Sequence, residues 1–124
     1  MVDAALNNAR NISLVTYRKD GRAVATPVWP VPLDGKLYVN TDARSWKVRR
    51  LHRDPRVRAA PCTMRGNVTG AYLEGSGRVV NDPALAARVN AALRSKYGWQ
   101  AALTPLLRVF SRRFRERVIL ELTL

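Results

Sequence analysis

The sequence predicts a mainly β protein, a small six-stranded barrel with helical decoration, built as a single domain over residues 1–124. Three observations point there. Before residue 82 the chain reads as five β-rich segments punctuated by Gly, Pro and Asp turn signals. Helical periodicity is confined to one short stretch near residue 48 and two after residue 82. The chain then closes on one more alternating segment, "RVILELTL".

Taken in order, "NISLVTY" (11–17) is rich in β-branched and aromatic residues and ends at Asp20-Gly21, a hairpin signal. "AVATPVWPV" (23–31) alternates, with Val24, Thr26 and Val28 on one side and Ala25, Pro27 and Trp29 on the other. Its prolines cannot donate ladder hydrogen bonds, so the strand belongs at a sheet edge or beside a ligand. "DGKLYVNT" (34–41) reads as the next hairpin. A short helix is expected over about 43–53, capped by Thr41 or Asp42 and ended by Asp54-Pro55. "VRAAPCTM" (57–64) and "AYLEGSGRVV" (71–80) return to strand, joined at Gly66. Asp82-Pro83 starts a helix in which Leu85, Val89 and Leu93 repeat, with Gly98 as its stop. Thr104-Pro105 starts another, before the strand at 117–124 that sets Val118, Leu120, Leu122 and Leu124 on one side.

Charge dominates the composition: 22 Lys and Arg against 9 Asp and Glu, a net +13. Such a field attracts polyanions, whether nucleic acid, anionic membrane or a phosphorylated cofactor. The opening residues "MVDAALNNAR" lack the apolar and basic regions of a signal peptide, and no run is long enough to span a bilayer. A single cysteine, Cys62, rules out a disulfide within the chain and makes the cytoplasm the expected compartment. One Cys and one His also exclude a Zn or Fe–S site built from this chain alone. At this length only about two-thirds of the unfolded surface is buried, so a partner subunit would help.

The stretch "TDARSWKVRRL" (41–51) holds four strong bases and a tryptophan. At about 100° per residue, Val48 and Leu51 form its inward stripe, Lys47 and Arg50 flank that stripe, and Arg49 and Arg53 face solvent. Thr41 and Ser45 lie at the helix start, where backbone N–H groups are free. Three readings stand on these residues. One is a solvated surface face. Another is a nucleic-acid stripe with Trp46 among exposed arginines. The third is a phosphate site built from a helix N-terminus, hydroxyls and a lysine one turn in.

Longer blocks favour the third. "LVTYRKDGRAVATPVWPV", "LYVNTDARSWKVRRLHRDPRVRAAPC" and "GAYLEGSGRVV" together resemble the pyridoxamine-phosphate-oxidase-like (PPOX class) split β-barrels. The nearest likeness is to their actinobacterial flavin and deazaflavin branch of F420-dependent enzymes. The ordered set DGR, TPVW, T-x5-K-x2-RL, DPRV, APC and EG-x-G-R carries the resemblance. It implies an FMN-binding split-barrel fold in a homodimer, with cofactor at each subunit interface. It implies an oxidoreductase passing a hydride between F420 and a small oxidised substrate, with FMN as the alternative cofactor. A non-catalytic cofactor-binding protein is a further alternative. By the same resemblance Thr41, Ser45 and Lys47 match phosphate ligands, and Arg50 fits a second phosphate or tail contact. Thr26, Pro27, Val28 and Trp29 match the strand that runs along the cofactor ring, and Cys62 falls on the next core strand. Trp46 stands where the family usually has a small residue, which puts a bulky ring against the phosphate site.

The other chemistry-bearing residues read more plainly. His52 and Cys62 are expected to be structural, Glu74 to pair with an arginine, and Tyr17 to lie in the core. Tyr72, Tyr97 and Trp99 either pack or line a ring pocket. "RVFSRRFRER" (108–117) is a solvated helix end, a peripheral contact with anionic lipid, or a partner for an acidic cofactor tail. No specific nucleic-acid reader is recognised. No acid–base pair stands out either, as expected when a cofactor carries the chemistry.

Overall fold

Two strands that follow each other in the chain lie at opposite edges of one sheet, and this sets the architecture. The computed structural model describes residues 4–98 and 117–124. Its elements are α1 (Ala4–Asn7), β1 (Ile12–Tyr17), β2 (Ala23–Val28), β3 (Val31–Leu33), β4 (Lys36–Asp42), α2 (Trp46–Arg53), β5 (Arg56–Pro61), β6 (Leu73–Val80), α3 (Pro83–Tyr97) and β7 (Arg117–Thr123). The strands form one antiparallel sheet in the order β2-β1-β5-β6-β7-β4-β3. Laid flat at a spacing of about 4.8 Å, seven strands would hold β2 and β3 roughly 29 Å apart. Only Trp29 and Pro30 separate Val28 from Val31, a span of at most about 11 Å. The sheet therefore curls on itself, and the fold is the split barrel.

The strand count differs from expectation for a local reason. The segment expected as one strand over 23–31 divides at Trp29-Pro30 into β2 and β3, giving seven strands instead of six. Pro30 has no N–H to continue a ladder, and the chain uses the break to cross from one sheet edge to the other. β3 then turns back into β4 through Asp34 and Gly35, both at positive φ (53° and 79°). Gly21 supplies the same freedom in the β1–β2 hairpin (φ 89°), where its N–H donates to the Arg18 carbonyl at 2.9 Å.

Apolar residues pack on both faces of the central strands. Ile12, Leu14, Leu37, Val39, Val57, Leu120 and Leu122 pack inside the curl with Val48 and Leu51 of α2. Tyr38, Ile119 and Val31 face the other way, under Val89 of α3. On this second face Tyr38 and Ile119 alternate with polar residues such as Lys36, Asn40 and Glu121, so only its centre is apolar. Gly77 of β6 makes room for α2: a Cβ there would lie 3.3 Å from Leu51 Cδ2 and 3.2 Å from Val57 Cγ1. Asp82 caps α3 as expected, accepting from the N–H groups of Ala84 (2.9 Å) and Leu85 (3.3 Å).

Two local expectations are corrected. The short helix begins at Trp46, and its N-cap is Ser45, not Thr41 or Asp42. Both of those residues still belong to β4, and Asp42 instead builds the connecting turn. Its carboxylate accepts from Arg44 N–H at 2.9 Å and its carbonyl from Ser45 N–H at 3.0 Å. Tyr17 is only half-buried, with the Arg56 guanidinium 4.7 Å above its ring, so it is a surface stack and not core. His52 is exposed, one position beyond the stripe that faces the sheet. Trp99, the helix expected from Thr104-Pro105, and all of the 108–117 run except Arg117 lie outside the described residues.

Candidate functional site

The turn that delays α2 sets the start of that helix beside the β1–β2 hairpin. Between the two lies an open cleft of about 900 Å³. Its floor and walls come from Val24 and Thr26 of β2 and from Ser45, Trp46, Lys47 and Arg50 at the start of α2. Arg18 and Lys19 of the hairpin and Arg49 and Arg53 of α2 complete the lining. Six of these residues are cations and none is an acid.

Two of the cations are wholly or partly buried with no ion pair among the described residues. Lys47 is half-buried, and burial draws its ammonium below the ordinary lysine value; Arg117 and Arg50 push it the same way, and Asp42 offsets them only in part. Arg50 is buried, its guanidinium also lowered first by burial and then by Arg18 and Arg53. Neither forms an ion pair among the described residues. A buried cation without a partner is costly and marks a place where an anion stabilises the protein. Arg50 does have one hydrogen bond: its Nε donates to Thr16 Oγ1 of β1 at 2.6 Å, and Thr16 is fully buried.

Ser45 adds an independent mark. It caps α2 in an extended conformation (φ −65°, ψ 153°) yet forms no side-chain cap hydrogen bond. Its Oγ is the buried side-chain atom left without a partner among the described residues. Buried hydroxyls are almost always satisfied. A hydroxyl, the N–H groups of a helix start, a lysine and an arginine together suit a phosphate-type anion. The residues present therefore fit the phosphorylated end of a flavin or deazaflavin.

Of the residues singled out in the sequence, the fold brings Thr26, Ser45, Trp46, Lys47 and Arg50 to this cleft. Trp46 is 69% exposed and carries the Arg49 guanidinium 4.9 Å from its ring, so the bulky ring stands at the cleft mouth and does not fill the site. Pro27, Val28, Trp29, Thr41 and Cys62 do not line it. Pro27 points outward and Val28 inward to the core. Trp29 stacks on Tyr97, with ring centroids 4.8 Å apart at 16°. Thr41 is buried in β4 opposite Val118. Cys62 is buried beyond the far end of β5, bridged to Val68, and burial raises its thiol.

The remaining chemistry-bearing groups are structural. Tyr97 donates to the carbonyls of Pro30 (2.6 Å) and Arg10 (3.0 Å), and burial pushes its phenol up. Lys96 donates to Ala9 and Pro30 carbonyls at 2.6 and 2.7 Å. Glu74 pairs with Arg58 at 3.0 Å, as expected. The Tyr72 and Ser13 hydroxyls share a hydrogen bond of 3.0 Å. No group of His, Cys, Asp and Glu among the described residues is arranged to hold a metal, and none of the described helices is long and apolar enough to cross a membrane.

Sequence reasoning missed Thr16, Arg18 and Lys19. The alternation Ile12, Leu14, Thr16 did carry a signal, because a hydroxyl ends an otherwise apolar inward row.

Comparison with known proteins agrees with this geometry. Comparison with curated proteins gives no significant match. Among solved structures, a conserved hypothetical protein of Mycobacterium tuberculosis is 25% identical, with a TM-score of 0.72 over 99% of this chain and 80% of that one. An F420 reductase is 19% identical, with a TM-score of 0.61 over 98% and 94% of the two chains. HutZ, a heme storage protein of Vibrio cholerae, is 13% identical, with a TM-score of 0.68 over 92% and 80%. The latter two likenesses speak for the fold. The sequence profile described as pyridoxamine 5'-phosphate oxidase matches residues 1–124, the whole chain. The chain belongs to the pyridoxamine 5'-phosphate oxidase family.

Proposed function

We propose that this protein is a homodimeric oxidoreductase that binds F420 and serves hydride transfer to a small oxidised organic substrate. The observation that carries the reading is the unbalanced cleft: six cations, no acid, and an unpartnered buried Ser45 hydroxyl at a helix start. A single terminal phosphate, as in FMN, would leave most of that charge uncompensated. F420 offers a phosphodiester and an oligoglutamate tail, which is the better electrostatic match. An F420 reductase shares this fold, so the fold can accommodate that cofactor.

Reduced F420, when bound, supplies the hydride. The chain's own residues bind and orient it. Ser45, the first N–H groups of α2, Lys47 and Arg50 would hold the phosphodiester. Arg18, Lys19 and Arg53 would meet further negative charge. Among the described residues β2 pairs only with β1, so its second edge would offer backbone N–H and C=O groups to the flat, polar ring. Quinones, enones and tetrapyrroles are the substrate types to screen.

The test is direct titration of purified protein with F420 and with FMN at moderate salt, beside an oligo-DNA control. Micromolar or tighter F420 binding is expected, with weak FMN binding and DNA binding that falls steeply with salt. If F420 binds no better than DNA, the cleft is only a charged face and the enzyme reading falls. A protein that purifies yellow with tight FMN would replace F420 by flavin.

A further inference from the structure

Arg50 is held from beneath, and the holding residue is not in the cleft. Thr16 ends the inward row of β1, below Ile12 and Leu14, where an apolar side chain would pack as well. It lies opposite Val24, a cleft-lining residue of β2. Its Oγ1 accepts from Arg50 Nε at 2.6 Å with both residues buried. A guanidinium is rigid and planar with five N–H donors, so fixing Nε fixes the plane of the four donors that remain. None of those four is taken by a carboxylate among the described residues.

We propose that Thr16 is a positioning residue for anion recognition: its hydroxyl orients the Arg50 guanidinium so that the free donors meet a phosphate group in the cleft. The inference rests on the cleft reading above and adds a residue that never touches the ligand. A packing role alone would require only the shape of Thr16, which valine supplies. A positioning role requires the hydroxyl, which serine supplies.

The experiment measures F420 affinity and thermal midpoint for Thr16→Val, Thr16→Ser, Arg50→Ala, Lys47→Ala and the double variant Thr16→Val/Arg50→Ala, with pyrophosphate as a second probe. Thr16→Val is expected to weaken binding about tenfold, roughly 1.4 kcal/mol. Thr16→Ser is expected to stay within about twofold of the parent. In the Arg50→Ala background, Thr16→Val should have no further effect, because its only route to the ligand is gone. Pyrophosphate should follow the same pattern at lower affinity. Wild-type affinity in Thr16→Val, with Arg50→Ala weakened, would overturn the proposal. So would equal losses for Thr16→Val with and without Arg50, since a purely structural role gives that result. If Arg50→Ala and Lys47→Ala both bind like the parent, the cleft reading itself fails and takes the proposal with it.

Discussion

Two clusters of charge sit on the same sheet and are built on opposite terms. On the face under α3, Glu121 is buried and fully answered. Arg78 Nε donates to it at 2.7 Å, Tyr38 Oη at 3.1 Å and Lys36 Nζ at 3.3 Å. These bonds, led by Arg78, hold its carboxyl below the usual range, while burial and then Glu121 raise the Tyr38 phenol. Beside the cleft, Lys47 and Arg50 are also desolvated, but among the described residues neither has an ion pair, and Asp42 acts on Lys47 only from a distance. The first cluster is closed and can only stabilise the fold. The second is open: among the described residues no carboxylate pairs with either cation. Net charge does not distinguish the two; pairing does.

Substitutions can break this contrast or sharpen it. Glu121→Ala should show the largest effect on stability, about 1–3 kcal/mol, because Tyr38 loses a buried acceptor. Urea unfolding would read that loss, with F420 affinity unchanged. A binding defect of the same size would mean that the clusters are coupled. Lys47→Ala should do the reverse, weakening F420 at least tenfold, about 1.4 kcal/mol. Its unfolding midpoint should hold or rise, since a half-buried, unpaired ammonium has been removed.

The pH dependence of binding follows from the same residue. Burial draws Lys47 below its ordinary 10.5, and a bound anion favours the charged form again. The complex therefore keeps its proton to higher pH than the free protein does. Affinity should fall as pH rises through the lowered value, earlier than for an exposed lysine, and Lys47→Arg should abolish the early fall. Lys96 offers a smaller contrast, in stability. Burial and then Arg10 bring it to about 8 from 10.5. Between those values the unfolded chain binds a proton that the folded one does not, so stability should rise across that window. Lys96→Met should lack that slope in unfolding midpoints measured from pH 7 to 10. Arg49→Ala should be the mildest, about twofold or less in affinity, because its guanidinium is exposed and stacks on Trp46.

Much of this was legible in residue order. The Asp20-Gly21 hairpin, the Asp82-Pro83 cap and the Val48–Leu51 stripe each follow from local chemistry, and local chemistry is what a sequence displays. The split of β2 from β3 was written in Trp29-Pro30 but hidden by the β-rich residues on either side. The delayed start of α2 was less accessible, since Asp42 is as good a cap as Ser45 until β7 arrives to keep it in a strand. Arg18 and Lys19 were invisible as site residues because only the hairpin's return places them across from α2. Lys47 and Arg50 were found, but the buried hydroxyl under Arg50 belongs to a strand 34 residues earlier. Pairs across such distances leave no spacing to read.

The position of β7 has a consequence for how the barrel is assembled. It is formed from residues 117–123, yet it sits between β6 and β4 near the middle of the sheet order. Without it the sheet is two pieces, β2-β1-β5-β6 and β4-β3, joined only by chain. Each β4–β7 pairing, Leu37 with Leu122 among them, closes a loop of some eighty residues. Folding should therefore be a late, slow zipping around one strand, on the millisecond-to-second scale of high-contact-order β proteins. Until that strand docks, β4 and β6 each present an unpaired edge, and this is the interval in which a molecular chaperone would have most to protect.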